Sequence, residues 1–176
     1  MKTILFLSAL LISGLVSCST RNVSVQQAEE GVVINGIRWA TRNVGAPGRF
    51  ASHPESAGRL FTWYEAQNVC PPGWRLPTRE ELRNLRDAAG DWTTRGRING
   101  HTFEGKESNR IFLPVTGIRD ANGVLRLVAA NNGYYWSSSP RTGGRSGAMA
   151  LQIQQGTISV RNIYRYNGLS VRCVAE

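Results

Sequence analysis

The chain has 176 residues, of which 41% are hydrophobic and 19% charged, and 21 Lys+Arg against 12 Asp+Glu give a formal net charge of +9. This composition excludes a coiled coil, a collagen and a disordered acidic tail, and the length suits one modest domain. Because Lys2 and Lys106 are the only lysines, arginine carries nearly all of the positive charge, and its planar fork suits carboxylate, sulfate or phosphate groups.

The N-terminus has the pattern of a secretion signal. Lys2 precedes an apolar run from Ile4 to Val16, which is too short to span a bilayer as a helix, since that requires about 20 residues. The run ends before Cys18 in a sequence that resembles the end of a bacterial lipoprotein signal. We predict a signal peptide at residues 1–17 and lipidation of Cys18; the alternative is an ordinary signal cleaved near the same point.

The predicted signal divides the chain into three parts. Residues 18–30 are expected to be the lipidated cysteine and a flexible tether, because they are polar and lack a hydrophobic period. Residues 31–176 then form one domain, anchored to the outer membrane at the cell surface or the periplasmic face. In an oxidising compartment Cys70 and Cys173 form an even pair, so we expect a disulfide, with free buried thiols as the alternative.

The first half contains hairpin and helix signals. Asn35-Gly36 lies between two short apolar runs and predicts a β-hairpin. The apolar residues of Leu60–Val69 fit a short helix. A second helix is predicted after Thr78, because Glu81 three residues later completes a capping box, and Gly90 can end it.

In the second half the pattern changes to the alternation typical of strands. Strands are predicted at Ile111–Ile118, Val124–Val128, Tyr134–Ser138, Ala148–Ile153, Thr157–Tyr164 and Leu169–Val174. Residues 91–110 contain several glycines and little apolar content, which predicts a long loop. Two helices followed by a strand-rich half predict the α+β class.

Several segments resemble a known family. They are Asn35–Ala40 with Asn43, Gly58–Tyr64, Cys70–Thr78 running into Glu80–Leu82, Leu113-Pro114 with Gly117–Arg119, Gly133–Ser139 and Gly168–Val174. In this order they resemble the Fibrobacter succinogenes major paralogous domain, a family of secreted bacterial, often Bacteroidetes, proteins. The family is similar to C-type-lectin-like domains of the formylglycine-generating-enzyme kind, which implies two helices and small twisted antiparallel sheets. Relatives of that broader set include adhesins, glycan binders and phage receptor-binding tips.

The sequence departs from the enzymes and calcium-dependent lectins of that broader set. It lacks the lectins' calcium-binding motifs, and the two cysteines that remain, Cys70 and Cys173, stand where the family has a structural bridge. His53 and His101 fit no metal-ligand spacing, and Ser137–Ser139 have no nucleophile motif around them. We therefore expect no enzyme activity, no metal and no cofactor.

The region from Asn131 to Asn167 has the composition of a binding surface. Tyrosine, tryptophan and arginine are enriched at binding hot spots, and tyrosine and asparagine in antibody paratopes. The predicted ligand-binding residues are Asn132, Tyr134, Tyr135, Trp136, Arg141, Arg145, Asn162, Tyr164, Arg165, Tyr166 and Asn167. In related C-type-lectin-like domains this region carries the ligand surface, and in some it is diversified by retroelements. The alternative is that Tyr134, Trp136 and Tyr164 fill a small β core.

These observations favour a non-enzymatic lipoprotein that binds an external glycan or protein without calcium. The alternative is a structural or tip subunit of a fimbria-like assembly. Nucleic acid is disfavoured as a partner, because a secreted, anchored protein rarely meets it and the arginines are scattered without a basic helix.

Overall fold

The computed structural model describes residues 30–126 and 131–176. Within these ranges 49% of the residues lie in strands and 10% in helices. The α+β class expected from the sequence is therefore wrong, because small antiparallel sheets dominate and the helices are short. The strands are β1 (Gly31–Ile34), β2 (Ile37–Ala40), β3 (Val44–Ala46), β4 (Arg49–Phe50), β5 (Trp74–Arg75), β6 (Ala89–Arg95), β7 (Ile98–Glu104), β8 (Arg110–Pro114), β9 (Ile118–Arg119), β10 (Leu125–Arg126), β11 (Asn132–Pro140), β12 (Gly147–Gln154), β13 (Thr157–Tyr164) and β14 (Val174–Ala175). The helices are α1 (Trp63–Ala66), α2 (Arg79–Arg86) and a 3-10 turn at Lys106–Ser108.

A four-stranded sheet joins the two ends of the domain in the order β1-β2-β14-β5. The predicted hairpin is confirmed: β1 pairs with β2, and the turn residues Asn35 and Gly36 have φ of 47° and 80°. Positive φ at both central positions is the geometry of a two-residue primed turn, which Asn-Gly adopts readily. Val174 pairs with Trp39 on one side and Arg75 on the other, so the C-terminus lies inside this sheet.

A three-stranded sheet with the order β11-β12-β13 carries most of the predicted binding residues. The predicted strand at Thr157–Tyr164 is confirmed as β13, and the strands predicted at Tyr134–Ser138 and Ala148–Ile153 lie within β11 and β12. β12 pairs with β13 without interruption from Gly147–Tyr164 to Gln154–Thr157. The sheet therefore brings the β11–β12 connection and the end of β13 to the same edge.

The loop predicted at residues 91–110 is wrong. Most of this segment is the hairpin of β6 and β7, in which Trp92 pairs with His101 and Arg95 with Ile98, and β8 continues the sheet. Gly96 has φ of 62° and makes the tight turn. The centroid of the His101 ring lies 6.4 Å from that of Trp92 and 5.4 Å from that of Phe103. These three rings supply packing that a count of apolar residues underestimates.

Several predicted elements are shorter than expected. Of the strand predicted at Leu169–Val174 only Val174 belongs to β14, because Leu169 and Ser170 form isolated bridges to Phe61 and Tyr135. The bridge to Phe61 also shortens the helix predicted at Leu60–Val69, whose first helical residue is Trp63. For the strand predicted at Val124–Val128, β10 covers Leu125–Arg126, and residues 127 and 128 lie outside the described residues.

The capping box predicted for α2 is confirmed. Thr78 Oγ1 accepts a hydrogen bond from the Glu81 N–H at 3.2 Å, and the Glu81 carboxylate accepts one from the Thr78 N–H at 2.7 Å. Leu82 and Leu85 are buried against the three-stranded sheet, whereas Arg83 forms an exposed ion pair with Glu80. The cap and the two leucines thus fix both the start and the orientation of this helix.

The core divides along β11. Alternate side chains of a strand point to opposite faces, so Trp136 packs with Phe61 and Val171 on one face, while Tyr135 packs with Leu82 and other residues on the other. The Cys70–Cys173 disulfide lies at the edge of the first cluster with a Cα–Cα distance of 6.1 Å, which confirms that prediction.

The predicted signal peptide, Cys18 and nearly all of the tether lie outside the described residues. Within the part of the chain that the structure describes, no helix has the length and apolar character needed to cross a membrane.

Candidate functional site

Three of the predicted ligand-binding residues are buried and do not belong to a surface. Tyr135 and Trp136 have no exposed surface, and Asn132 is 8% exposed. The Tyr135 hydroxyl donates to the Pro114 carbonyl at 2.5 Å, and the Trp136 indole donates to the Phe61 carbonyl at 2.8 Å. Their polar atoms are satisfied inside the protein, so the prediction that these residues contact a ligand is corrected: they fill the core and hold β11 in place.

A polar network crosses the face of the three-stranded sheet. Gln152 on β12 donates to the Asn132 side chain at 2.9 Å and to the Tyr134 hydroxyl at 3.1 Å. Arg161 on β13 donates to the Gln152 side chain at 2.6 Å. The Asn132 side chain is hydrogen-bonded within this network, and Tyr134 is half-buried. Arg161 lies at the outer end of the network and is exposed.

The main candidate site is an exposed group of rings, here called the tyrosine cluster: Tyr64, Tyr164 and Tyr166. The ring of Tyr166 lies 5.5 Å from that of Tyr64 and 5.3 Å from that of Tyr164. The three side chains nevertheless remain 48%, 46% and 53% exposed, in the order Tyr64, Tyr164, Tyr166. A contiguous aromatic surface that neighbouring rings do not cover is characteristic of an interaction site.

Backbone hydrogen bonds at the end of β13 bring these rings together. The Asn167 N–H donates to the Tyr164 carbonyl at 3.0 Å and closes a turn that reverses the chain after Tyr164. The Trp63 N–H donates to the Arg165 carbonyl at 2.9 Å, so the first turn of α1 lies against that reversal. Tyr64 is therefore placed beside Tyr166, although they are 102 positions apart in sequence.

Arg165 packs between Trp63 and Gly147, next to the tyrosine cluster. Its guanidinium carbon lies 4.3 Å from the centre of the Trp63 ring, and its Nε donates to the Gly147 carbonyl at 2.9 Å. The Trp63 indole in turn donates to the Ser137 carbonyl at 2.8 Å. Stacking and hydrogen bonding occupy both side chains, so Arg165 acts chiefly as a positioning residue for the surrounding tyrosines.

The sequence prediction missed Tyr64, because this residue was counted among the apolar residues of the short helix predicted at Leu60–Val69. A signal was present. Tyr64, Gln67 and Asn68 have the i, i+3, i+4 spacing of one helix face, and all three are exposed, whereas Ala66 is buried. The two polar partners indicated that the Tyr64 ring lies on the solvent face.

The three-stranded sheet that ends at Tyr164 lacks negative charge. Residues 121–175 contain no aspartate or glutamate but six arginines. Glu65, next to Tyr64 in α1, has its pKa held below the usual value, first by the hydrogen bond from the Thr62 N–H and further by the Thr62 hydroxyl and Arg59. This carboxylate is thus ionised and already engaged by its own helix cap and Arg59.

Two exposed arginines lie in the connection between β11 and β12, which ends opposite Tyr164. The Arg141 N–H donates to the Gly147 carbonyl at 3.1 Å, and Gly147 pairs with Tyr164 across the sheet. Arg141 and Arg145 are exposed, and neither forms an ion pair with any residue that the structure describes. Asn162 and Asn167 lie on the same end of β13, exposed and half-buried respectively.

The histidine, serine and metal-ligating residues considered in the sequence analysis do not come together in a site within the described residues. His101 is buried with its Nδ1 at 2.8 Å from the Thr102 carbonyl, and Ser137 Oγ donates to the Met149 carbonyl at 2.7 Å. Over residues 30–126 and 131–176, no group of three or more His, Cys, Asp or Glu side chains is placed to hold a metal ion. A surface cavity of about 620 Å³ lies away from the cluster, between the Asn35-Gly36 turn and Lys106.

Comparison with known proteins supports one assignment. No curated protein and no solved structure matches the chain significantly. The family model of the Fibrobacter succinogenes major domain matches residues 19–175. This match spans the whole described fold, including the disulfide and the tyrosine cluster, and the chain therefore belongs to the Fibrobacter succinogenes major domain family.

Proposed function

We propose that this protein is a non-enzymatic, lipid-anchored binding domain of the cell envelope. It binds an external glycan or protein at the tyrosine cluster, and this binding does not require calcium. The observation that carries the proposal is the contact of three tyrosine rings that are each about half exposed.

The energetics of tyrosine support this role. Its ring offers a large apolar area with few rotatable bonds, and its hydroxyl remains available for hydrogen bonds at the rim. Packing of the three rings on one another restricts their rotamers before a ligand arrives, so binding orders little additional structure. Trp63 and Arg165 fix the base of the cluster, which further reduces its freedom.

The proposal is tested by removing two rings of the cluster. The double variant Tyr164→Ser, Tyr166→Ser removes exposed side chains, so the fold should be retained. A matched control is Ile98→Ser, which removes a 40% exposed apolar side chain from the β6–β7 hairpin. The full chain in detergent is tested on an array of neutral and acidic polysaccharides and of matrix proteins such as collagen and fibronectin.

We expect the wild type and the control to bind at least one probe, and the double variant to bind that probe at least tenfold more weakly, as for hot-spot residues. Equal binding by the double variant would contradict the proposed site. If none of the three proteins bound any probe, the proposal of a glycan or protein ligand would be contradicted.

A second function, a subunit of a fimbria-like assembly, is favoured by one observation. β13 has eight residues and pairs only with β12 among the described strands, so its outer edge could accept a strand from another subunit. Electron microscopy and size-exclusion chromatography of the purified chain distinguish this function, which requires concentration-dependent oligomers. The substitution Ser159→Pro, inside β13, should then reduce assembly.

A further inference from the structure

Resting on the proposed function, we propose that the ligand is an anionic polysaccharide whose sulfate or carboxylate groups are bound by Arg141 and Arg145 while its sugar rings lie on the tyrosine cluster.

The charge distribution of the sheet is the first step. Residues 121–175 contain six arginines and no aspartate or glutamate. Arg126 pairs with Asp120 at 2.8 Å, and Arg172 is buried. Arg161 and Arg165 are engaged by Gln152 and by Trp63, respectively. Arg161 is exposed and has no ion pair within the described residues, but its guanidinium donates to Gln152. Arg141 and Arg145 are exposed, and their guanidinium groups form neither an ion pair nor a hydrogen bond with any described residue.

The position of these two residues is the second step. Both lie in the connection that closes on Gly147, the residue directly opposite Tyr164. The Arg141 side chain lies along Gly144, where a Cβ would be in ordinary van der Waals contact with its Cδ, at 3.6 Å. The segments that carry Arg141, Arg145 and Tyr164 thus meet at the same end of one sheet.

The chemistry of the ligand follows from both groups. A guanidinium fork binds sulfate or carboxylate through paired, charge-assisted hydrogen bonds. The C–H faces of sugar rings can pack on tyrosine, and Asn162, Asn167 and the tyrosine hydroxyls can bond sugar hydroxyls. Single-stranded nucleic acid fits less well, because the rings of Tyr64 and Tyr164 are tilted by 57° and 46° to that of Tyr166, so successive bases could not stack on the three rings in one continuous series.

The test compares two variants of equal charge in the full chain. Arg141→Gln, Arg145→Gln removes the proposed anion site. Arg49→Gln, Arg97→Gln removes two other exposed arginines that have no ion pair within the described residues. Binding is measured to heparin as a sulfated probe, polygalacturonate as a carboxylated probe, dextran as a neutral probe, and single-stranded DNA, at low and at high salt.

We expect the Arg141, Arg145 variant to bind heparin or polygalacturonate about tenfold more weakly and with a smaller salt dependence, the loss typical of one charged hydrogen-bonded contact. The Arg49, Arg97 control should stay within about twofold of the wild type on the same scale. Equal losses in the two variants would show a nonspecific charge effect and overturn the inference. Preference for DNA over both acidic glycans would also overturn it.

Failure of the inference is separable from failure of the proposed function. If Tyr164→Ser, Tyr166→Ser abolishes binding to dextran or a matrix protein while Arg141→Gln, Arg145→Gln has no effect on any probe, the binding surface stands and the anionic ligand does not.

Discussion

The Nε atom of Arg172 lies 2.8 Å from the Oδ1 atom of Asn43, and this pair joins residues 129 positions apart in the centre of the protein. Arg172 also donates to the carbonyls of Ala40 at 3.0 Å and Phe112 at 3.1 Å, and it is 1% exposed. Burial lowers its pKa to about 10, so the guanidinium is still charged at neutral pH. No carboxylate pairs with it among the described residues; peptide and amide oxygens disperse the charge instead.

Replacing Arg172 with methionine should destabilise the fold by about 3 kcal/mol or more, because three buried acceptors would lose their donors. Chemical denaturation of the purified variant measures the loss. Arg97→Met on the exposed β6–β7 turn is the control and should change the free energy of unfolding by less than about 0.5 kcal/mol. A loss below about 1 kcal/mol at Arg172 would mean that its hydrogen bonds contribute little to stability.

Removing the disulfide should also lower stability. Cys70 and Cys173 are separated by 103 positions, and closing a loop of that size stabilises a fold by about 4 to 5 kcal/mol in the chain-entropy model. The Cys70→Ala, Cys173→Ala double variant should therefore unfold at a clearly lower denaturant concentration than the oxidised wild type. Reduced wild type should unfold near the double variant; a reduced protein as stable as the oxidised one would contradict this.

Acid should weaken the start of α2. The bidentate hydrogen bonds from Arg75, at 2.8 and 2.6 Å, are the largest cause that holds the pKa of Glu81 below 4.5. A lowered folded-state pKa means that the stabilisation is complete above pH 4.5 and is lost as the pH falls through the folded-state value. Glu81→Gln should reduce stability by on the order of 1 kcal/mol at pH 7 and flatten the loss below pH 4.5.

The matched control for this pH dependence is Glu80→Gln. Glu80 is the neighbouring glutamate, its side chain is 64% exposed, and it pairs with Arg79 and Arg83 instead of Arg75. Thermal unfolding from pH 7 to pH 3 should separate the two variants. Identical acid profiles for Glu81→Gln and the wild type would show that another group controls the acid transition.

Two glycines with positive φ should respond differently to alanine. Gly58 has φ of 69°, and a Cβ there would lie 2.3 Å from the Val44 carbonyl oxygen, whereas Gly96 has φ of 62° and no atom within 4 Å of that position. Gly96→Ala should cost about 1 kcal/mol for its backbone conformation alone. Gly58→Ala should cost several kcal/mol more, because backbone must move. Equal losses in denaturant unfolding would mean that the loop relaxes freely.

Local signals predicted the local elements. The Asn35-Gly36 turn, the capping box of Thr78 and Glu81 and the alternation of Thr157–Tyr164 each depend on a few neighbouring residues, and each is confirmed. The predicted fold class was wrong because it depends on pairing between separate segments, which local signals do not report. Residues 91–110 form β6, β7 and the start of β8 through pairing between strands, which a single window of sequence does not reveal.

The sequence by itself determined which residue types are available at the candidate site: tyrosine, asparagine and arginine without acidic residues from 121 to 175. It could not determine which of them face solvent, because β11 packs a core cluster on each of its faces, so the adjacent residues Tyr135 and Trp136 are both buried and alternation does not separate core from surface there. Only the tertiary structure placed Tyr64 beside Tyr166, since that contact depends on the hydrogen bond of Trp63 to Arg165, which joins two distant segments of the chain.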